Sequence, residues 1–197
     1  FIKLRKPTGG DSNRKCFNLH HGIVIPDIFM EAVVNKQPWG LKSVDSDEVL
    51  KYVDAYKLFT EILTLRIETG EPYLFFEDNV NKNLCDLYKK EDLKVTFSNL
   101  CSEILLNVTE NKTAVCCLSS INLEKYDEWK DDKLFIEDLM YFLDGVLIQY
   151  EEKLEQSPEW KKPFLRRVIN FVKEERAVGL GVMGWHSLLQ LKHIPFE

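Results

Sequence analysis

A helix-rich α/β fold is what the sequence predicts, and three observations carry that expectation. Short apolar runs of strand type, residues 17–25 and 71–76, are bounded by Pro, Gly or Asn. Between and after them lie longer stretches with apolar residues at helical spacing, most clearly 135–154. Strand-type and helix-type segments alternate along the chain rather than forming separate blocks, the arrangement of an α/β domain and one that a barrel can close.

The elements follow in order. Residues 6–14 are turn chemistry, with Gly9-Gly10 free to adopt positive φ, and are expected to form a loop. The strand over 17–25 stops at Pro26, which suits the first position of a helix carrying Phe29, Met30, Val33 and Val34 on one side. Asp45 or Ser46 is the expected cap of the next helix, whose apolar residues Leu50, Val53, Leu58, Ile62 and Leu65 lead to the stop signal Thr69-Gly70. Residues 71–76 are too short and too aromatic for a helix and read as a buried strand. A polar connector containing Cys85 leads to 94–106, the most strand-like part of the chain. Residues 107–113 break it, and 114–118 resume extended structure as an antiparallel return. Residues 135–154 form a mostly buried helix that Ser157-Pro158 ends. A helix with basic residues spans 160–176, and glycine-rich 177–184 follows as close-packed chain.

Composition limits the function. Hydrophobic residues make up 45% and charged residues 29%, as in a globular domain with a real core rather than a disordered or collagen-like chain. The 26 Lys+Arg against 32 Asp+Glu leave a net charge of −6, which argues against nucleic acid as a partner. No apolar run approaches the roughly 18 residues of a membrane span. Five cysteines, an odd number without framework spacing or a secretion signal, predict a reducing, cytoplasmic setting. No CxxC pair exists, and the vicinal Cys116-Cys117 cannot easily present both sulfurs to one tetrahedral ion, so no metal site is expected. The opening Phe1-Ile2-Lys3-Leu4 and the uncapped end at Glu197 suggest a piece of a longer polypeptide.

Ser98-Asn99-Leu100-Cys101-Ser102-Glu103 is the sharpest chemical feature. In an extended segment Asn99, Cys101 and Glu103 share a face at roughly 6.5–7 Å intervals, aligning an amide, a thiol and a carboxylate. Those types suit hydrogen-atom or nucleophilic chemistry on a polyol: the thiol reacts, the carboxylate takes a hydroxyl proton and the amide orients that hydroxyl. Spacing alone fits a half-exposed strand with a small buried cysteine better. Cys116, about fifteen residues on, is either a redox thiol or core packing. The basic residues Lys162, Arg166 and Lys173 read as a solvated helix face. Gly179-Leu180-Gly181-Val182-Met183-Gly184 has the form GxGxxG, but it follows a helix, which disfavours a dinucleotide site.

Taken together, Ser98 to Ile104 and the run Ala114-Val115-Cys116-Cys117-Leu118-Ser119-Ser120-Ile121-Asn122-Leu123 closely resemble the catalytic stretch of the large subunit of class I ribonucleotide reductases. Gly22-Ile23-Val24-Ile25-Pro26-Asp27-Ile28-Phe29-Met30, Glu68-Thr69-Gly70-Glu71-Pro72-Tyr73 and Val178-Gly179-Leu180-Gly181-Val182-Met183-Gly184 extend the resemblance, in order, over nearly the whole chain. The Asn-Leu-Cys form favours class I over the cobalamin-dependent class.

The resemblance implies that residues 1–197 are the middle of a catalytic domain, part of a ten-stranded α/β barrel with a central finger loop. It implies a thiyl radical at Cys101 that takes the 3′-hydrogen of a ribonucleoside diphosphate. Glu103 would remove the 3′-hydroxyl proton, and Asn99 would hydrogen-bond the sugar hydroxyls. Cys116 would belong to the reducing dithiol, and Leu100 and Leu118 would line an apolar substrate pocket; Cys117 falls where the family is not restricted to cysteine. No cofactor is expected on this segment. The radical would come from the metal cofactor of a small partner subunit, ATP and dNTP effectors would bind the full-length protein, and thioredoxin or glutaredoxin would restore the dithiol. Lacking the rest of the site, the segment is expected to be inactive alone. A competing expectation is an assembly module of a split reductase, completed by complementary large-subunit sequence. An unrelated thiol enzyme pairing Cys101 with a histidine base ranks below both.

Overall fold

The computed structural model describes residues 1–43, 45–99 and 102–197, in two compact units, Phe1–Asn107 and Val108–Glu197. In the first unit, β1 (Gly22–Ile25) pairs in parallel with β4 (Tyr73–Phe76), Gly22 opposite Tyr73 and Ile25 opposite Phe76. Between them run α1 (Asp27–Val34), the hairpin of β2 (Pro38–Lys42) and β3 (Val49–Asp54), and α2 (Ala55–Thr69). α3 (Glu77–Lys82) and α4 (Asp86–Lys90) follow.

Alternation along β1 and β4 divides the apolar residues between two faces. Ile25, with Ile23, Leu74 and Phe76 beside it, packs into a core with Phe29, Ala32, Val33 and Ala55. Val24 and Phe75 point the other way, into a second core with Tyr88 and Val95. Phe29 meets Trp39 edge-on at 5.1 Å between centroids, so the hairpin closes the first core. Pro26 takes the N-cap of α1 rather than its first turn and has no side-chain acceptor to offer. The Asp27 N–H donates instead to Asp78 Oδ2 at 2.6 Å, tying α1 to α3.

Several expectations change. The strand over 17–25 shortens to β1, because the carbonyls of Cys16 and Leu19 accept from the Arg5 side chain rather than from a ladder. Residues 49–54, expected to be the start of a helix capped by Asp45 or Ser46, form β3. Asp54 is the cap: its Oδ1 accepts from the Lys57 N–H at 2.9 Å, a contact worth about 1 kcal/mol. Gly70 ends α2 in the left-handed conformation, φ 76°, as expected. The strand-like 94–106 joins no sheet among the described residues. Asn81 donates to the Val95 carbonyl and accepts from its N–H, and Asn107 donates to the Lys94 carbonyl, so two side-chain amides occupy groups that a neighbouring strand would otherwise bond.

In the second unit, β5 (Cys117–Asn122) pairs in parallel with β6 (Val178–Met183). The antiparallel return expected at 114–118 is therefore not formed; β5 takes a partner about sixty residues on, across α5 (Tyr126–Trp129), α6 (Phe135–Glu155) and α7 (Lys162–Glu175). α8 (Trp185–Leu191) starts from Gly184, φ 75°. The helix expected over 135–154 is present as α6 but is not mostly buried. Leu143 and Leu147 on one stripe are covered, while Tyr141, Phe142 and Ile148 are exposed, since its apolar residues run round more of the helix than one contact can cover. Lys162 pairs with Glu159 and Lys173 with Glu151, so these two basic side chains of α7 are engaged within the unit. No helix among the described residues is long and apolar enough to cross a membrane.

Candidate functional site

The first unit carries a cavity of about 270 Å³ where the β1 and β4 face bearing Gly22, Tyr73 and Phe75 meets the turn 98–104. The ring of Phe97 delivers the chain to that turn by lying against Gly22. A Cβ on Gly22 would sit 2.5 Å from Phe97 Cζ, so any larger residue would force the ring to shift. Phe97 also packs on Phe75 at 5.7 Å between centroids.

Beyond Phe97 the backbone turns rather than running extended. The Ser102 N–H donates to the Asn99 carbonyl at 3.2 Å, and Ser102 has φ 70°, a left-handed conformation that costs a non-glycine residue about 1 kcal/mol. The Ile104 N–H donates to Asn99 Oδ1 at 3.2 Å, and Ser98 Oγ donates to the Ile104 carbonyl at 2.6 Å. With its oxygen engaged by a backbone donor, the Asn99 amide has a fixed orientation and turns its nitrogen to Glu103, donating to Oε1 at 2.6 Å.

The structure therefore brings Asn99 and Glu103 together, but not as a strand face with roughly 7 Å spacing. They are the two ends of a tight turn in direct hydrogen bond. Asn99 and Ser102 line the cavity. Cys101 and Leu100 lie outside the described residues.

Sequence reasoning missed the polar network beneath this turn. Glu71, 4% exposed, accepts the His21 backbone N–H at 2.7 Å on Oε2 and the His20 Nδ1–H on Oε1, with Arg5 Nη2 at 3.4 Å. Burial alone would raise the Glu71 pKa. The His21 and His20 hydrogen bonds and the Arg5 charge outweigh it and hold the carboxyl below its ordinary value. Arg5 also bonds the carbonyls of Phe17 and Leu19, so this one carboxylate anchors the loop ahead of β1. The adjacent His20-His21 pair was visible in the sequence, but its partner Glu71 lies fifty residues away.

In the second unit, Cys116 lies just before β5, partly buried, and Leu118 is exposed on it. A Cβ on Gly179 of β6 would meet Leu118 Cδ2 at 2.6 Å and Cys116 Sγ at 3.8 Å. The close-packing role expected of these glycines holds here, and it sets the wall beside the thiol. Burial, with a smaller contribution from Cys117, raises the Cys116 pKa, so it rests as a thiol at neutral pH. Among the described residues, no three His, Cys, Asp or Glu side chains gather as metal ligands.

Parallel strand pairs bridged by helices, with a polar turn beside a cavity, are the pieces of an α/β barrel. The chain belongs to the ribonucleotide reductase family: the model of its barrel domain matches residues 1–197. A Frog virus 3 (isolate Goorha) protein assigned as a ribonucleoside-diphosphate reductase large subunit is 45% identical over all of this chain and 34% of its own length. The ribonucleoside-diphosphate reductase large subunit of Invertebrate iridescent virus 3 is 30% identical, covering 100% of this chain and 39% of its own. Among solved structures, the class Id ribonucleotide reductase alpha subunit of Actinobacillus ureae superposes with a TM-score of 0.76 at 35% identity, over 99% of this chain and 32% of that one. The chain thus spans about a third of the length of these relatives.

Two outcomes follow from this geometry. Gly22→Ala should lower stability by about 1–3 kcal/mol by pushing the Phe97 ring off β1. In a Phe97→Ala background that cost should vanish in denaturant titrations, and an equal cost in both backgrounds would contradict the contact. Glu71→Gln should cost about 1.5 kcal/mol at pH 7. Because the folded carboxyl has the lower pKa, its contribution is present above the unfolded value near 4.5 and drains as pH falls through the folded one. The gap between wild type and Glu71→Gln should therefore close on acidification; a gap independent of pH would contradict the network.

Proposed function

We propose that this segment carries the radical chemistry of ribonucleoside-diphosphate reduction within a complete large subunit. The observation that carries the reading is the Asn99–Glu103 hydrogen bond beside the cavity, which pairs an oriented amide with a carboxylate where a sugar diol can be held.

A thiyl radical on Cys101 takes the 3′-hydrogen of the ribose, leaving a carbon radical and a thiol. Glu103 accepts the 3′-hydroxyl proton, and the Asn99 amide holds a sugar hydroxyl. The 2′-hydroxyl leaves as water. A dithiol composed of Cys116 and a second thiol of the complete reductase supplies two electrons and two protons and ends as a disulfide. The Cys101 thiol then returns hydrogen to C3′, regenerating its radical. A thiol held protonated by burial, as Cys116 is, suits a reductant that must give up hydrogen as well as electrons. Leu100 and Leu118 provide apolar wall that keeps water from the radical. The metal cofactor of a small partner subunit would supply the radical, ATP and dNTP effectors would act on the full-length protein, and thioredoxin or glutaredoxin would reduce the disulfide in the cytoplasm.

A second reading has its own observation. Tyr141 and Phe142 on α6, Leu118 on β5, and Val182 and Met183 on β6 are exposed apolar side chains, and the strand pairs have open edges. They favour a segment that completes its barrel by docking with complementary large-subunit sequence, and that has no turnover alone.

The test is deoxynucleotide formation by the complete large subunit with its small subunit and a dithiol reductant. Cys101→Ser should abolish product while leaving nucleotide binding and thermal stability unchanged. Product formed at the wild-type rate would contradict the proposal.

A further inference from the structure

Among the polar residues that line the cavity beside Asn99, one is buried with a nitrogen left unpaired. His21 is 3% exposed, lines this cavity, and its Nε2 has no hydrogen-bond partner among the described residues. Buried polar atoms are nearly always paired, so an orphan of this kind calls for a partner. His21 is also held in place. Its backbone N–H donates to Glu71 Oε2 at 2.7 Å, its carbonyl accepts from the Tyr73 N–H at 2.8 Å, and its ring packs on that of Phe1 at 4.4 Å between centroids.

We infer that His21 is a sugar-binding residue, its Nε2 exchanging a hydrogen bond with a ribose hydroxyl in the cavity that Asn99 also lines. The inference rests on the reading of the Asn99–Glu103 turn as the reaction site. Three features select a sugar hydroxyl. No Lys or Arg lines the cavity, which argues for a neutral group rather than a phosphate. Tyr73, Phe75 and Phe97 give it an apolar wall that suits the C–H face of a furanose ring. An imidazole nitrogen donates or accepts according to its tautomer, and a hydroxyl can answer in both senses.

The experiment uses the complete large subunit with its small subunit, cytidine 5′-diphosphate as substrate and ATP present, comparing wild type, His21→Phe, His21→Gln and Asn99→Ala. Losing one neutral hydrogen bond to substrate should raise KM for His21→Phe roughly three- to tenfold with kcat nearly unchanged. His21→Gln, which keeps a hydrogen-bonding end, should recover most of the loss, whereas a purely structural role would not be rescued this way. An unchanged KM in His21→Phe, or a His21→Gln as impaired as His21→Phe, overturns the inference. If Asn99→Ala is impaired while His21→Phe is not, the reaction-site reading survives and only the histidine's role falls; if neither is impaired, both fall. Should His21→Phe fail to fold, 15N-histidine-labelled wild-type subunit decides. A shift of the His21 Nε2 resonance on adding cytidine 5′-diphosphate supports the contact, and no shift overturns it.

Discussion

The side chain of Asn99 closes the turn on which the proposed chemistry depends. Its oxygen accepts the Ile104 N–H and its nitrogen donates to Glu103, so one amide both folds the loop and orients the carboxylate. A hydrogen bond inside a polypeptide contributes only about 1 kcal/mol net. Here it works against a left-handed Ser102 whose strain is of similar size, and the turn therefore relies on what supports it. That support is Phe97, seated on a glycine and against Phe75.

Beneath the turn the same economy recurs. Glu71 is buried and ionised because three donors converge on it, and through Arg5 it fixes the loop that leads into β1. That loop carries His20 and His21 to the cavity. A single carboxylate thereby couples the chain before β1 to the start of β4, the two strands whose shared face forms the cavity floor.

How much of this the sequence disclosed depends on the range of the interactions. Local signals were readable: the turn at Gly9-Gly10, the stop at Gly70, the strand read over 71–76 and present at 73–76, and the start of α6 at Phe135 all rest on residues a few positions apart. The hairpin of β2 and β3 escaped because Leu50 and Val53 also satisfy a helical spacing. Residues 94–106 looked like a strand but join no sheet among the described residues; Asn81 and Asn107 bond the backbone at Val95 and Lys94, a substitution of side chain for sheet that no periodicity records. The pairing of β5 with β6 is set by glycines distant in sequence. Residue types in order named Asn99 and Glu103, which a hydrogen bond joins, although their geometry is a turn and not a row. His21 and Glu71 were invisible as a pair, since nothing local links a histidine to a carboxylate fifty residues on.

The central claim is that the Asn99 side chain holds this turn closed, and amide hydrogen exchange at Ile104 tests it most directly. The Ile104 N–H should exchange well below the rate of an unstructured chain, and Asn99→Ala should remove that protection while leaving the amides of β1 and β4 unaffected. Exchange of Ile104 at the unstructured rate in the unsubstituted protein, or protection that persists in Asn99→Ala, would contradict it.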